Sequence, residues 1–568
     1  MYIINIFLRS VTFPFHTFCP SQNISIMPLF QEILGFATSP ASLAASLACL
    51  GATVLFYLCF IRPFLSPLSG LPGPSPSSFW YGNLGDVLAS EGGLAHEEWH
   101  AKYGPVIAWR GLFGTTRLST IDPKALNHIL VTNAYAYPRP ADIRNKIGML
   151  TGKGLFYVEG DVHKRQRRLL APAFGAPQIR GLEQIVYDSA FLLADKWTEV
   201  IKASQNPWVV LNAMDWSYRV ALDIIGVAGL GYHFDALEKG ESGSKIGDAI
   251  NKILKTRSER LTPFKVCLYQ VMRATPKWLH IYKPPMLRTI EELMETIQRE
   301  CRTLLAEKKL EAASVDSTHG KDLISILLRA NAAVDVKDRL DDDEVLGQMI
   351  TAILAGHETT ATAMGWLWLH FARNPDIQTK LRREIRDFKA GALESGHYIP
   401  FDELNSLPYL DAVCREILRL FSPVVLSPRE ATCNDIIPIE KGGFVRISRG
   451  EQVMIPISAF NRSQELFGPD ANSFRPERWL EDGPQGSPPS LWSGMMTFMA
   501  GPRACIGYRL ALMEMKVSTA VLVSRFHLEE RDGPDGGPEI ERGADHVIIP
   551  EVKGQPLEPC IPLRISLL

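Results

Sequence analysis

The feature that most restricts the folds open to this chain is a ten-residue stretch near its C-terminal end, Phe498-Met-Ala-Gly501-Pro-Arg503-Ala-Cys505-Ile-Gly507. Glycines four residues before and two residues after the sulfur let the backbone turn tightly, close to a flat macrocycle. The apolar run Tyr508-Arg-Leu-Ala-Leu-Met-Glu-Met reads as a helix beginning just past the cysteine. Amides at that helix start point toward Cys505 and favour its thiolate. Arg503 stands within reach of an anionic propionate, and Phe498 is placed to cover the sulfur. A thiolate ligand pushes electron density onto haem iron and favours O–O cleavage. Cys505 therefore reads as an axial iron ligand, against the plainer alternative of a buried structural cysteine.

A second stretch calls for a long helix. Asp341-Asp-Asp-Glu344 offers an N-cap and first-turn acids, and Asn374-Pro375 stops the helix after Arg373. In its middle lies Ala355-Gly356-His357-Glu358-Thr359-Thr360. Two small residues there allow a cofactor face to approach the backbone, and Glu358 beside the Thr359 hydroxyl makes a proton-relay pair. A solvated Glu358 and a packing threonine are the plainer reading. His357 is given no role beyond packing.

Further charges fall into groups. Glu416-Ile-Leu-Arg419 lies in an apolar helical run, and an i, i+3 pair of this kind is commonly a surface ion pair. Phe474-Arg-Pro-Glu-Arg478-Trp479 follows some sixty residues later. Arg429 comes just after Phe421-Ser-Pro-Val-Val-Leu-Ser-Pro428. An earlier segment, Gly160-Asp-Val-His163-Lys-Arg-Gln-Arg167-Arg168, carries His163 and Arg167, with Arg165 and Arg168 read as a solvated basic face.

These segments together resemble the cytochrome P450 family. The cysteine stretch is similar to its haem signature F-x-x-G-x-R-x-C-x-G with no position missing, and the mid-helix stretch to its distal motif [AG]-G-x-[DE]-T. Phe474–Trp479 resembles the P-E-R-F/W segment, and the His163–Arg167 segment the W-x-x-x-R helix with histidine in place of tryptophan. The resemblance implies haem b (iron protoporphyrin IX) held by Cys505, with Phe498, Gly501, Arg503, Gly507 and Gly356 around it. Propionates would meet His163, Arg167 and Arg429. It assigns Thr359 to the hydrogen-bond network around dioxygen and Glu358 to proton supply. Glu416, Arg419 and Arg478 become a buried network for structure and haem incorporation.

The expected fold is mainly α, a large helical domain with small β-sheets. Strand patterns occur at Val106–Arg110 and Thr116–Ile121, and helical patterns at Leu182–Lys202, Met214–Leu230 and Leu287–Ala312. No internal repeat divides the region from 79 to 568, which is read as one catalytic domain. Nine scattered cysteines without a CxxC fit reduced thiols better than a disulfide framework or a zinc site. A net charge of −2 gives no reason to expect nucleic-acid binding.

Residues 41–61 carry no charge and end in Val54-Leu-Phe-Tyr-Leu-Cys-Phe-Ile61, enough to cross a bilayer as one N-terminal transmembrane helix. Arg62 and Leu71-Pro-Gly-Pro-Ser-Pro76 continue as a stiff linker over 62–78. A cleavable signal peptide is disfavoured by the late start and the absence of a small-residue cleavage site. Residues 1–40 would be lumenal, where Asn23-Ile-Ser25 is a glycosylation sequon, with Met27 a second candidate start. Asn461-Arg-Ser463 would face the cytosol unmodified.

The resemblance further implies an endoplasmic reticulum monooxygenase that inserts one atom of O2 into a lipophilic small molecule. Electrons would come from NADPH through a separate cytochrome P450 reductase, since no Gly-x-Gly-x-x-Gly fingerprint is present. Apolar residues Phe156, Ile353, Leu354, Val425 and Leu426 lie in the expected contact segments. The chain resembles fungal P450s of secondary metabolism, which often act on terpenoids, with fatty acids and aromatic xenobiotics left open. The alternatives are a peroxide-rearranging or dehydrating P450, which tends to lack the acid–threonine pair, and a haem sensor or carrier.

Overall fold

The computed structural model describes residues 65–568 apart from 241–242, 257–261, 275–284, 314–319, 482–489, 491, 534–535, 544–546 and 556–557, plus a few positions between 45 and 61. The chain divides into two units, Met1–Arg62 and Pro63–Leu568. In the first, described positions such as 49–53 are helical, and Thr53 Oγ1 donates to Cys49 O at 2.8 Å. Most of 41–61, with Asn23 and Met27, lies outside the described residues. Among the described residues no helix is long and apolar enough to cross a membrane.

The second unit is mostly helical. Six helices position the site: α1 (Gly160–Leu170), α2 (Glu183–Ala203), α3 (Ala213–Ile225), α4 (Asp342–Arg373), α5 (Pro408–Leu420) and α6 (Tyr508–Arg525). The capping signal read before α4 is realised in full. Asp341 accepts from the Glu344 N–H at 2.8 Å, and Glu344 accepts from the Asp341 N–H at 3.1 Å. The resulting 32-residue helix runs roughly 48 Å at 1.5 Å per residue. The helical pattern predicted to reach Leu230 does reach it, with a change of winding on the way. α3 ends at Ile225, and a π-turn over Gly226–Leu230 closes on Gly231 at φ 63°.

Sheets are minor. The largest has four strands in the order Val106–Arg110, Thr116–Thr120, Gln452–Pro456, Leu426–Glu430. The first pair is antiparallel with Val106 opposite Thr120, the second parallel with Arg117 opposite Gln452. The proline-rich stretch before it is tied to this sheet: Ala108 N donates to Pro72 O at 2.9 Å, and Leu68 is buried. The main core packs α2, α3, α4, α5 and α6 around Trp197, Trp366 and Trp368.

Candidate functional site: a cysteine loop facing an open helix face

The loop that carries Cys505 is bent hard. Ser493, Gly494, Met499 and Gly501 all have φ between 57° and 70°, and two of these are not glycine. Such backbone persists only where its surroundings hold it. At Gly501 the demand is absolute, since a Cβ would stand 2.0 Å from the Leu130 carbonyl oxygen. The Cys505 N–H donates to the Phe498 carbonyl at 2.9 Å, closing the turn. The Phe498 ring packs between Trp492, at 5.6 Å, and Tyr508, at 5.9 Å. Gly507 ends the loop at φ −89°, and a Cβ there would meet only Phe174, at 3.7 Å.

Burial pushes the Cys505 thiol up from its usual range, opposed by the Gly507 N–H and by Arg167. Yet the residue retains exposed surface. The two observations agree for a sulfur surrounded by protein at the wall of an internal cleft. Arg167 Nη1 donates to the Ala504 carbonyl at 2.6 Å, fixing a cation beside that sulfur.

α4 shows the other wall. From Glu344 to Phe371 every position is buried except Thr351, Ala352, Leu354, Ala355, Gly356 and Thr359, which share one face. Ala355 is exposed in the middle of an otherwise buried helix. Leu354 on this face and Ile506 of the cysteine loop pack on the same apolar cluster, so the two walls border one space. Of the apolar residues predicted to line it, Ile353 and Val425 are buried while Phe156 is exposed under the Arg139 guanidinium, 4.5 Å from its ring.

The relay pair lies on this helix. Glu358 is buried, and Thr359 Oγ1 donates to the Ala355 carbonyl at 2.7 Å, back along its own helix. His357 packs as expected: its Nε2 contacts Tyr218 O at 3.1 Å, and burial lowers its pKa to about 4. At Gly356, on the same open face, a Cβ would stand 2.8 Å from Ile225 Cδ1, so this glycine also lets α3 pack closely on α4.

Arginines gather between the two walls. Arg503 donates Nε to Glu159 at 3.0 Å and Nη1 to Ala134 O at 2.5 Å, with Nη2 also on Glu159 and Tyr135 stacked beneath it. The Arg139 N–H also reaches Glu159, at 3.0 Å. Arg429 is buried and bonds only to Ser427 Oγ and Pro428 O, with no carboxylate paired among the described residues. Burial first, then Arg139 and Arg503, lowers its pKa to about 9, and Arg139 falls to about 10. His163 is buried with Nδ1 3.1 Å from Tyr135 Oη. Burial, then Arg503, lowers its pKa to about 4, so it is neutral near pH 7. Three guanidiniums thus face one carboxylate, an excess of positive charge that two propionates would balance. Arg139, Glu159 and Tyr135 were not read from the sequence. Their one signal was Tyr137-Pro-Arg-Pro140, a charge set between prolines.

Arg165 also differs from expectation. It is no solvated cation: it pairs with buried Glu344 and donates to Arg339 O at 3.0 Å, clamping α1 to the start of α4. Arg168 is the exposed member.

The Glu416 network is fully enclosed. Arg419 donates Nε and Nη2 to Glu416 at 2.9 and 2.7 Å, and Arg478 and Trp479 add bonds at 3.4 and 2.9 Å. Arg419 Nη1 reaches the Asn461 carbonyl, whose side chain accepts from Met496 N at 2.8 Å and donates to Thr497 Oγ1 at 2.9 Å. This chain of bonds ends one residue before Phe498. It also leaves the Asn461 side chain of that sequon buried and bonded, inaccessible to a glycosyl carrier.

Comparison with known proteins agrees with this geometry. The model of the family described as Cytochrome P450 matches residues 72–556. The chain belongs to the cytochrome P450 family. Cytochrome P450 monooxygenase 205 of Postia placenta is 35% identical over 88% of this chain and 93% of its own. Ganoderic acid synthetase of Ganoderma lucidum is 33% identical over 87% and 94%. The monooxygenase claQ of Ampulloclitocybe clavipes is 31% identical over 90% and 97%. A crystal structure titled as the haem domain of cytochrome P450DA superposes with a TM-score of 0.68 at 21% identity, over 88% of this P450 and 98% of that chain, and so shares its fold. This P450 is accordingly a haem-dependent oxidoreductase of monooxygenase type, which requires O2, a substrate and a redox partner.

Proposed function

We propose that this P450 inserts one atom of dioxygen into a lipophilic secondary metabolite, with terpenoids the first class to test. Electrons would come from an NADPH-dependent reductase at an endoplasmic reticulum membrane, where residues 41–61 serve as anchor. The observation that carries the reading is the pairing of an accessible, enclosed Cys505 with an uncharged open face of α4 across one apolar cluster. Haem, when bound, supplies dioxygen activation, with one oxygen entering the substrate and the other leaving as water.

The chain's own residues do the rest. Cys505 Sγ would hold the iron, with Arg167 and the Gly507 N–H favouring its thiolate against burial. Arg139, Arg429 and Arg503 would receive the propionates, and neutral His163 has one ring nitrogen left to donate. Thr359 passes a proton by turning its hydroxyl from the Ala355 carbonyl toward the cleft, forgoing a bond of about 1 kcal/mol. Glu358, buried one residue away, resupplies it. The open face, Ala352, Leu354, Ala355 and Thr359, presents no charge and suits an apolar guest. A groove beside Tyr508 and Trp492 is lined by Arg180, Arg415 and Arg509 together with Asp402 and Asp411, and an acidic flavoprotein fits its cationic part.

That one relative is named a ganoderic acid synthetase supports the secondary-metabolite class. The test joins two spectra. The ferrous–CO complex shows the long-wavelength Soret band of thiolate ligation and loses it in Cys505→Ala. A panel of terpenoids, sterols, fatty acids and polycyclic aromatics then shifts the spin state, terpenoids most strongly. A band retained without Cys505 overturns the ligand, and a response confined to fatty acids overturns the substrate class.

A further inference from the structure

Among the described residues, Glu159 is the one carboxylate inside the arginine cluster. It stands just before α1, 11% exposed, and accepts from the Arg503 side chain through two nitrogens and from the Arg139 backbone at 3.0 Å. The Arg139 guanidinium lies a further 3.9 Å away. An arginine meant for a propionate is therefore already engaged by a protein carboxylate. Guanidinium carries five N–H donors. Glu159 takes two of them and Ala134 O a third, leaving one N–H on each Nη atom of Arg503.

We propose that Glu159 is a positioning residue of the haem site: it orients Arg503 so that those two remaining N–H groups are presented, and its fixed negative charge sets how readily the iron accepts an electron. This rests on the haem assignment above. Glu159 touches neither the iron ligand nor the open face of α4, so it acts through the arginines and through its field. The sign follows from Coulomb's law in a poorly solvated site. A nearby carboxylate stabilises the more positive ferric state, so its presence makes reduction harder and its removal makes it easier. The guanidiniums of Arg139, Arg429 and Arg503 pull the other way, and Glu159 offsets part of their effect.

The test uses the haem-loaded full-length protein. Glu159→Gln keeps the size of the side chain and an oxygen that accepts from Arg503, but removes the charge. Its ferric–ferrous midpoint, measured by spectroelectrochemistry, moves to more positive potential while the CO band and the haem-to-protein ratio stay at parental values. Glu159→Asp retains the charge and keeps the midpoint close to the parent. An unchanged midpoint in Glu159→Gln overturns the proposal. So does a purely structural outcome, in which both variants lose haem and the loaded fraction keeps the parental potential. Absence of the CO band from the parent protein would instead remove the haem reading itself, whatever Glu159 does.

Discussion

Two buried ionic clusters lie on either side of the cysteine loop, and they are built on opposite principles. Around Glu416 every strong donor has its acceptor: Arg419 is fully buried with five bonds to a carboxylate and backbone carbonyls, and Arg478 has Asp470 at 2.9 Å besides Glu416. Around Glu159 cations outnumber the carboxylate, and Arg429 bonds to no carboxylate among the described residues. Burying unpaired charge costs several kcal/mol, so such a cluster makes sense only where something anionic completes it. A closed network holds the chain to itself, and an open one holds it to a ligand.

The largest effect tests the closed side. Arg419→Ala leaves Glu416 buried without its bidentate partner, a loss of about 3–5 kcal/mol. Soluble, haem-containing protein should fall to a small fraction of the parent, read from expression and the CO band together. Near-parental yield would mean that the network is not what holds the cysteine loop.

The open side should answer differently. Arg429→Met removes a buried charge that no carboxylate among the described residues bonds and that Glu159 compensates only through space, so the unfolding temperature of the polypeptide should hold or rise slightly. Haem retention should fall instead. Loss of one charge-assisted contact is worth about 1.5–3 kcal/mol, roughly a 10- to 150-fold faster transfer of haem to an acceptor such as apomyoglobin. If Arg429→Met unfolded like Arg419→Ala, the two clusters would be alike and the distinction between them would fail.

How far this contrast was legible in the sequence depends on the range over which each contact is made. The α4 cap, the Glu416–Arg419 pair and the bend at Gly501 are local, and spacing alone exposed them. Glu159 meets Arg503 across 344 positions, and Asn461 meets Arg419 across 42, so no pattern within one segment announces either. At Gly356 spacing alone does not separate a close helix from a close cofactor, since both demand the absence of a Cβ. Arg165 was misread because a basic run looks the same whether it faces water or a buried glutamate. The outline of the site was readable, while the carboxylate that balances it was not.

His163 offers the smallest and most discriminating measurement. It lies within the open cluster, and its pKa of about 4 reflects burial first and Arg503 second. An unfolded histidine titrates near 6.5. Because the folded value is the lower one, the neutral form is favoured in the native state: stability from this residue is complete above pH 6.5 and is lost as pH falls from there toward 4. The slope is roughly 1.4 kcal/mol per pH unit for one histidine. Buried His96, His100, His357 and His370 have lowered values too and add to the total acid sensitivity. His163→Gln should remove one histidine's share, seen as a shallower loss of stability between pH 6.5 and 4 in denaturant titrations. The contrast between clusters enters through the ligand. Propionates beside His163 would add negative charge, raise its folded pKa and shrink its share of the slope. The difference between parent and His163→Gln should therefore be larger in haem-free than in haem-loaded protein. An equal difference in both would mean that the charges balancing these arginines do not come from the haem.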